Sequence, residues 1–146
     1  LPGGATCSDR LTLDEVSTRA AGRGLLPMRA PSEPQSPSRD AMLAATYAQQ
    51  AGKVVAWSLA AMRQCWCAGR DIGDTTTLFL AGAAAEIHPN AIEKALGLKS
   101  LGARLDEATA SAAAAGVTHT PAIRVGRTVY FGDDGLDEAV AELSAR

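Results

Sequence analysis

The chain has 146 residues, 47% of them apolar and 21% charged, with a formal net charge of −2. That length buries a substantial core within one domain. The near-neutral balance, without a basic run or stripe, gives nucleic acid and anionic membrane surfaces no electrostatic grip, and no apolar run approaches the roughly 20 residues that cross a bilayer.

The opening "LPGGATCSDR" lacks the basic, apolar and cleavage regions of a signal peptide. Three cysteines are an odd number, which argues against a complete intrachain disulfide framework. The odd count points to a reducing, cytoplasmic setting. The first helix is announced by Thr12 and Glu15, spaced as a capping box, with Leu11 and Val16 placed as a hydrophobic staple around it. Gly22 and Gly24 stop it. Leu25 to Ser38 then carries four prolines in fourteen residues and reads as a loop.

From Arg39 to about Gly69 the pattern is helical, in two pieces broken near Gly52. In the second piece Val55, Leu59, Met62 and Trp66 make an apolar stripe at helical spacing. Asp74 caps the next helix, and Pro89 suits the first turn of a short one ending near Gly97. A long helix follows, with Leu98, Leu101, Leu105, Ala108 and Ala112 on one face and Gly116 at its end. Only then do strands appear. "AIRV" and "TVYF" are joined by Gly126-Arg127 as a hairpin. A last helix from about Gly135 is expected to bury Leu136, Val140 and Leu143. A lone hairpin is marginal in water, so this sheet reads as incomplete.

Few side chains carry obvious chemistry. Cys65 and Cys67 flank Trp66, but residues two apart on a helix differ by about 200° in direction. A disulfide needs Cβ atoms about 4 Å apart, so the pair closes only if the helix ends between them. A buried structural Cys65 is the expectation. Asp71 and Asp74 surround Ile72-Gly73 and are expected to shape a turn and a cap. His88 precedes Pro89 as an ordinary helix-start residue. Two distant histidines and no paired cysteine spacing give no zinc site, and no Cys-x-x-Cys occurs.

Three segments in order carry a resemblance. "DEVSTRAAGRGLLP" is similar to a helix leading into a Gly-Leu-Pro loop. "MRQCWCAGRDIGD" is similar to a helical insertion in which a Trp precedes a Gly-Arg-Asp-Ile-x-Asp turn. "GVTHTPAIRVGRTVYFGDDGLDEAVAEL" resembles the C-terminal part of DsbA-like proteins, in the branch of 2-hydroxychromene-2-carboxylate isomerases and kappa-class glutathione transferases. The resemblance implies an α/β thioredoxin-like fold of the DsbA type, with an all-helical insertion and a C-terminal β-hairpin plus helix. Residues 1–38 would be the N-terminal helix and Pro-rich loop, 39–97 the insertion, and 98–146 the closing helix, hairpin and helix. In that frame "LPGG" falls where the second strand ends, so the strand–helix–strand bearing the nucleophile is absent from this chain.

The site residues implied by the resemblance follow. Thr120-Pro121 matches the family's cis-proline, whose preceding backbone turns outward to pair with an extended peptide or a glutathione backbone. The competing reading is a trans proline that simply starts a strand. Asp133 and Asp134 would grip the glutamyl end of glutathione; an ordinary helix N-cap is the competing reading. Gly135 stands where the family has an arginine. His119 stands where the family usually has a small residue, and reads either as a proton shuttle or as a hydrogen-bonded loop residue. The implied function is an isomerase or transferase dependent on glutathione or another low-molecular-weight thiol and acting on a small molecule, its catalytic residue unassigned. One alternative is a DsbA-like thiol–disulfide oxidoreductase, which a Cys-x-x-Cys in the absent segment would reveal. Another is a non-catalytic subunit whose sheet edge binds another chain that supplies the missing strands.

Overall fold

Helix α1 (Leu13–Gly22) begins at Thr12, whose hydroxyl accepts from the Glu15 N–H while the Glu15 carboxylate accepts from the Thr12 N–H at 2.6 Å. This is the expected capping box, and the bond from the Thr12 backbone holds the Glu15 carboxyl below its ordinary range. The structure, a computed structural model, describes residues 12–31 and 38–145; the expected Leu11 staple and Cys7 lie outside the described residues.

Further helices are α2 (Arg39–Gln50), α3 (Val54–Trp66), α4 (Thr75–Ala84), α5 (Pro89–Gly97) and α6 (Lys99–Ala114). The break near Gly52 is a helix stop in which the Gly52 N–H bonds Gln49 O and the Lys53 N–H bonds Ala48 O at 2.7 Å. That pattern needs a left-handed residue, and Gly52 supplies it with φ +70°. Helix α4 ends the same way on Glu86 at φ +55°, and the Lys53 ammonium donates to the Glu86 carbonyl at 2.9 Å. Strands β1 (Ala122–Val125) and β2 (Thr128–Phe131) precede helix α7 (Gly132–Ser144).

The chain divides within α6 into two units, residues 8–105 and a second from Asp106 onward. In the first, Trp57 is 1% exposed and packs with Ala41, Ala44 and Ala48 of α2 and Leu78 and Ala81 of α4. Small alanines let these helices approach closely, and the Trp57 ring fills the space between them. A smaller cluster joins Leu43, Ala95, Leu101 and Leu105.

The apolar stripe on α3 does not face this core. Val55, Leu59 and Met62 are exposed, Val55 by 79%, while Trp57, Ala60, Ala61 and Cys65 point inward. The helix is apolar on both sides, so spacing alone cannot choose between them. Leu59, Met62 and Trp66 instead line an apolar groove of about 350 Å³ whose other wall is Leu25, Leu26 and Met28. The Arg29 N–H bonds Trp66 O at 2.6 Å and ties that loop to the end of α3. On α6, Leu101 and Leu105 are buried, but Leu98 is 48% exposed and stands at the end of α5.

In the second unit, β1 and β2 pair antiparallel from Ala122↔Phe131 to Val125↔Thr128, and they make the one sheet among the described residues. Helix α7 starts at Gly132, three residues before the expected Gly135, and its inward residues differ from the expected set. Gly135 and Ala139 are buried, whereas Val140 and Leu143 are 52% and 58% exposed. The cause is close approach: a Cβ on Gly135 would stand 3.0 Å from the Tyr130 carbonyl carbon. Two helical turns beyond Gly135, the Tyr130 hydroxyl donates to the Glu142 carboxylate. That hydrogen bond to Glu142 raises the Tyr130 pKa.

Candidate cofactor-binding site

The hairpin ladder continues one residue past its last strand pair, because the Gly132 N–H donates to Pro121 O at 3.0 Å. This bond places Thr120-Pro121 beside the first turn of α7, which carries Asp133 and Asp134. Four residues from two separate sequence segments thus meet at one end of the hairpin. The Thr120–Pro121 peptide is cis. Thr120 and Pro121 are exposed, and neither the N–H nor the C=O of Thr120 takes part in a backbone hydrogen bond among the described residues. Such a residue offers both groups to an incoming extended chain.

Neither aspartate is the helix cap. Phe131 occupies that position with an extended φ of −123° and makes no side-chain capping bond. Asp133, half-buried, and the exposed Asp134 both lie within the first turn, where unpaired backbone N–H groups favour negative charge. The structure differs here from the ordinary N-cap reading, because both aspartates lie inside the first turn of the helix. Two acids on neighbouring residues, held beside an unpaired backbone edge, suit a ligand that carries an ammonium group and a peptide bond.

His119 belongs to the same cluster. Its ring stacks on Phe131 with centroids 4.4 Å apart and planes 17° from parallel, and its Nδ1 lies 3.0 Å from the Thr118 hydroxyl. This is the hydrogen-bonded loop histidine of the two readings above. Its partner Phe131 could not be foreseen, because the stack joins a residue in the bend before β1 to the last residue of β2, twelve positions away, and leaves no periodic signal.

The other candidates belong to the first unit, where each has a local role. The Asp74 carboxylate accepts from the Thr77 N–H at 3.1 Å and from its buried hydroxyl at 3.2 Å, capping α4. The Asp71 carboxylate accepts from the Gly73 N–H at 2.9 Å and shapes the turn. His88 Nδ1 accepts from the Asn90 N–H at 3.2 Å at the start of α5. Cys65 and Cys67 are both free, and α3 ends between them, at Trp66. Burial pushes the 4%-exposed Cys65 thiol up, with the Asp71 charge adding to it, whereas Cys67 is only half-buried. A thiol reagent applied to the folded protein is therefore expected to modify Cys67 at least tenfold faster than Cys65, read by peptide mass spectrometry after timed alkylation. Equal rates would show that Cys65 is open to solvent.

Known proteins agree with this architecture. The family of the DSBA-like thioredoxin domain matches residues 14–144. The chain belongs to the DsbA-like thioredoxin family. The structure of a 2-hydroxychromene-2-carboxylate isomerase superposes on this DsbA-like chain with a TM-score of 0.78 at 20% identity, covering 91% of this chain. The match covers 66% of the isomerase chain. No curated protein sequence matches. One departure from the DsbA-like pattern has a structural reason: Gly135, where the resemblance leads one to expect an arginine, abuts the backbone of β2, and a side chain there would push α7 away from Tyr130. No helix among the described residues is long and apolar enough to cross a membrane.

Proposed function

We propose that this chain binds glutathione or another low-molecular-weight thiol at the Thr120–Pro121 end of the hairpin, as part of a thiol-dependent isomerase or transferase acting on a small molecule. The observation that carries the reading is the unpaired, exposed backbone of Thr120 beside the acid-bearing first turn of α7. The Thr120 N–H and C=O pair with the peptide portion of the ligand, as a strand pairs with a sheet edge. Asp133 and Asp134 accept from its ammonium group. When bound, the thiol supplies the nucleophilic sulfur, and the residues of this chain bind and orient it. Family membership and the likeness to the isomerase fold support this reading over that of an unrelated helical protein. Calorimetric titration of the full chain with reduced glutathione tests it. Saturable binding is expected, and heats no larger than dilution would overturn it.

A second reading rests on a different observation. Val140 and Leu143 leave an apolar face of α7 exposed next to a sheet of two strands. A second protein chain that adds strands to the hairpin would cover such a face. Isolation of the protein from its native source in a stable complex, dissociated by Leu143→Glu, would favour this binding-subunit reading; a complex indifferent to that change would count against it.

A further inference from the structure

We infer that His119 is a ligand-binding residue of this site, holding the carboxylate on the same end of the thiol ligand whose ammonium the aspartates accept. The inference rests on the proposed thiol site and adds to it a residue that the family resemblance does not supply, since a small side chain is expected at this position.

His119 is a side chain fixed in an exposed place. Loop histidines ordinarily sample several rotamers. The His119 ring is held by two contacts on different sides: its face lies on Phe131 at 4.4 Å, and its Nδ1 meets the Thr118 hydroxyl at 3.0 Å. Neither contact engages Nε2. When the Thr118 hydroxyl donates to Nδ1, the ring proton sits on Nε2, which makes no hydrogen bond among the described residues. Phe131 is the residue that leads directly into Gly132, Asp133 and Asp134. The imidazole therefore stacks on the N-cap residue of α7, with Thr120 next to it in the chain.

A γ-glutamyl group carries its ammonium and its carboxylate on one carbon. Two aspartates satisfy the ammonium and repel the carboxylate, so the carboxylate needs a donor close by. The N–H groups of the first turn of α7 provide part of that, and Nε2–H of His119 provides a directed partner. A pre-positioned ring loses little freedom when the ligand arrives, which is why a stacked histidine suits this task.

Two glutathione analogues separate this inference from the reading on which it rests. In 4-aminobutanoyl-cysteinylglycine the carboxylate is missing and the ammonium kept; in glutaryl-cysteinylglycine the ammonium is missing and the carboxylate kept. His119→Ala is expected to weaken glutathione and the glutaryl analogue at least tenfold and to leave the aminobutanoyl analogue unchanged, as for loss of a hydrogen bond to a charged group. His119→Gln, which keeps a donor, is expected to recover part of the loss. Equal weakening of all three ligands by His119→Ala would overturn the inference and assign the residue to loop structure alone. Tight glutathione binding that His119→Ala does not alter would overturn it while leaving the thiol site intact. Absence of binding by the unaltered protein would overturn both.

Discussion

Replacing Trp57 by alanine is expected to cost about 3–5 kcal/mol of folding stability, the range for deleting a buried large aromatic. Trp57 is 1% exposed and packs with Ala41, Ala44 and Ala48 of α2 and with Leu78 and Ala81 of α4. The alanines among these neighbours have no side-chain atoms to swing into the vacated volume, and helices already in close contact cannot move nearer, so a cavity persists. A loss of that size is a large fraction of the 5–15 kcal/mol typical of a domain. Leu59→Ala is the control on the same helix, because Leu59 is 49% exposed; it is expected to cost less than about 1 kcal/mol. Urea denaturation of both variants checks the pair. Similar losses, or a larger loss at Leu59, would mean that the apolar stripe and not the Trp57 face is packed inward.

Neutralising both acids of the α7 first turn, Asp133→Asn with Asp134→Asn, is expected to weaken glutathione binding by about 10- to 100-fold. That corresponds to about 1.5–3 kcal/mol for a lost charge-assisted hydrogen bond. The fold should survive, since neither residue is the helix cap and the hairpin contact runs through Gly135, Ala139 and the Tyr130–Glu142 hydrogen bond. Loss of the favourable interaction with the helix N-terminus is worth only about 0.3–1 kcal/mol per charge. Calorimetry paired with thermal denaturation separates the two effects: affinity should fall with little change in the unfolding midpoint. Unchanged affinity would remove the aspartates from the site.

Local signals were readable wherever the chemistry was local. The Thr12–Glu15 box, the stop at Gly52, the Asp74 cap and the Pro89 start each involve atoms a few residues apart, and each is present as the residues dictate. The hairpin and its neighbouring helix were legible for the same reason. Which face of α3 or α7 turns inward was not. Both helices carry two apolar sets, and the choice is made by close approach of alanine or glycine to a neighbouring element, as at Gly135 against Tyr130. Hydrophobic periodicity favours bulky residues, whereas these contacts are built on the smallest ones. The candidate site was half legible: Thr120, Pro121, Asp133 and Asp134 came from the family resemblance, and register brings them together. The place of His119 over Phe131 depends on the bend that precedes β1 and could not be read beforehand.

The central claim is that the end of the hairpin and the start of α7 form one ligand site. The most direct measurement is an amide chemical-shift titration of the labelled full chain with reduced glutathione. Saturable shifts concentrated at His119, Thr120 and Gly132 to Asp134, sharing one dissociation constant, are the result this account requires. Binding without shifts at those residues, or shifts confined to the groove lined by Leu26, Met62 and Trp66, would contradict it.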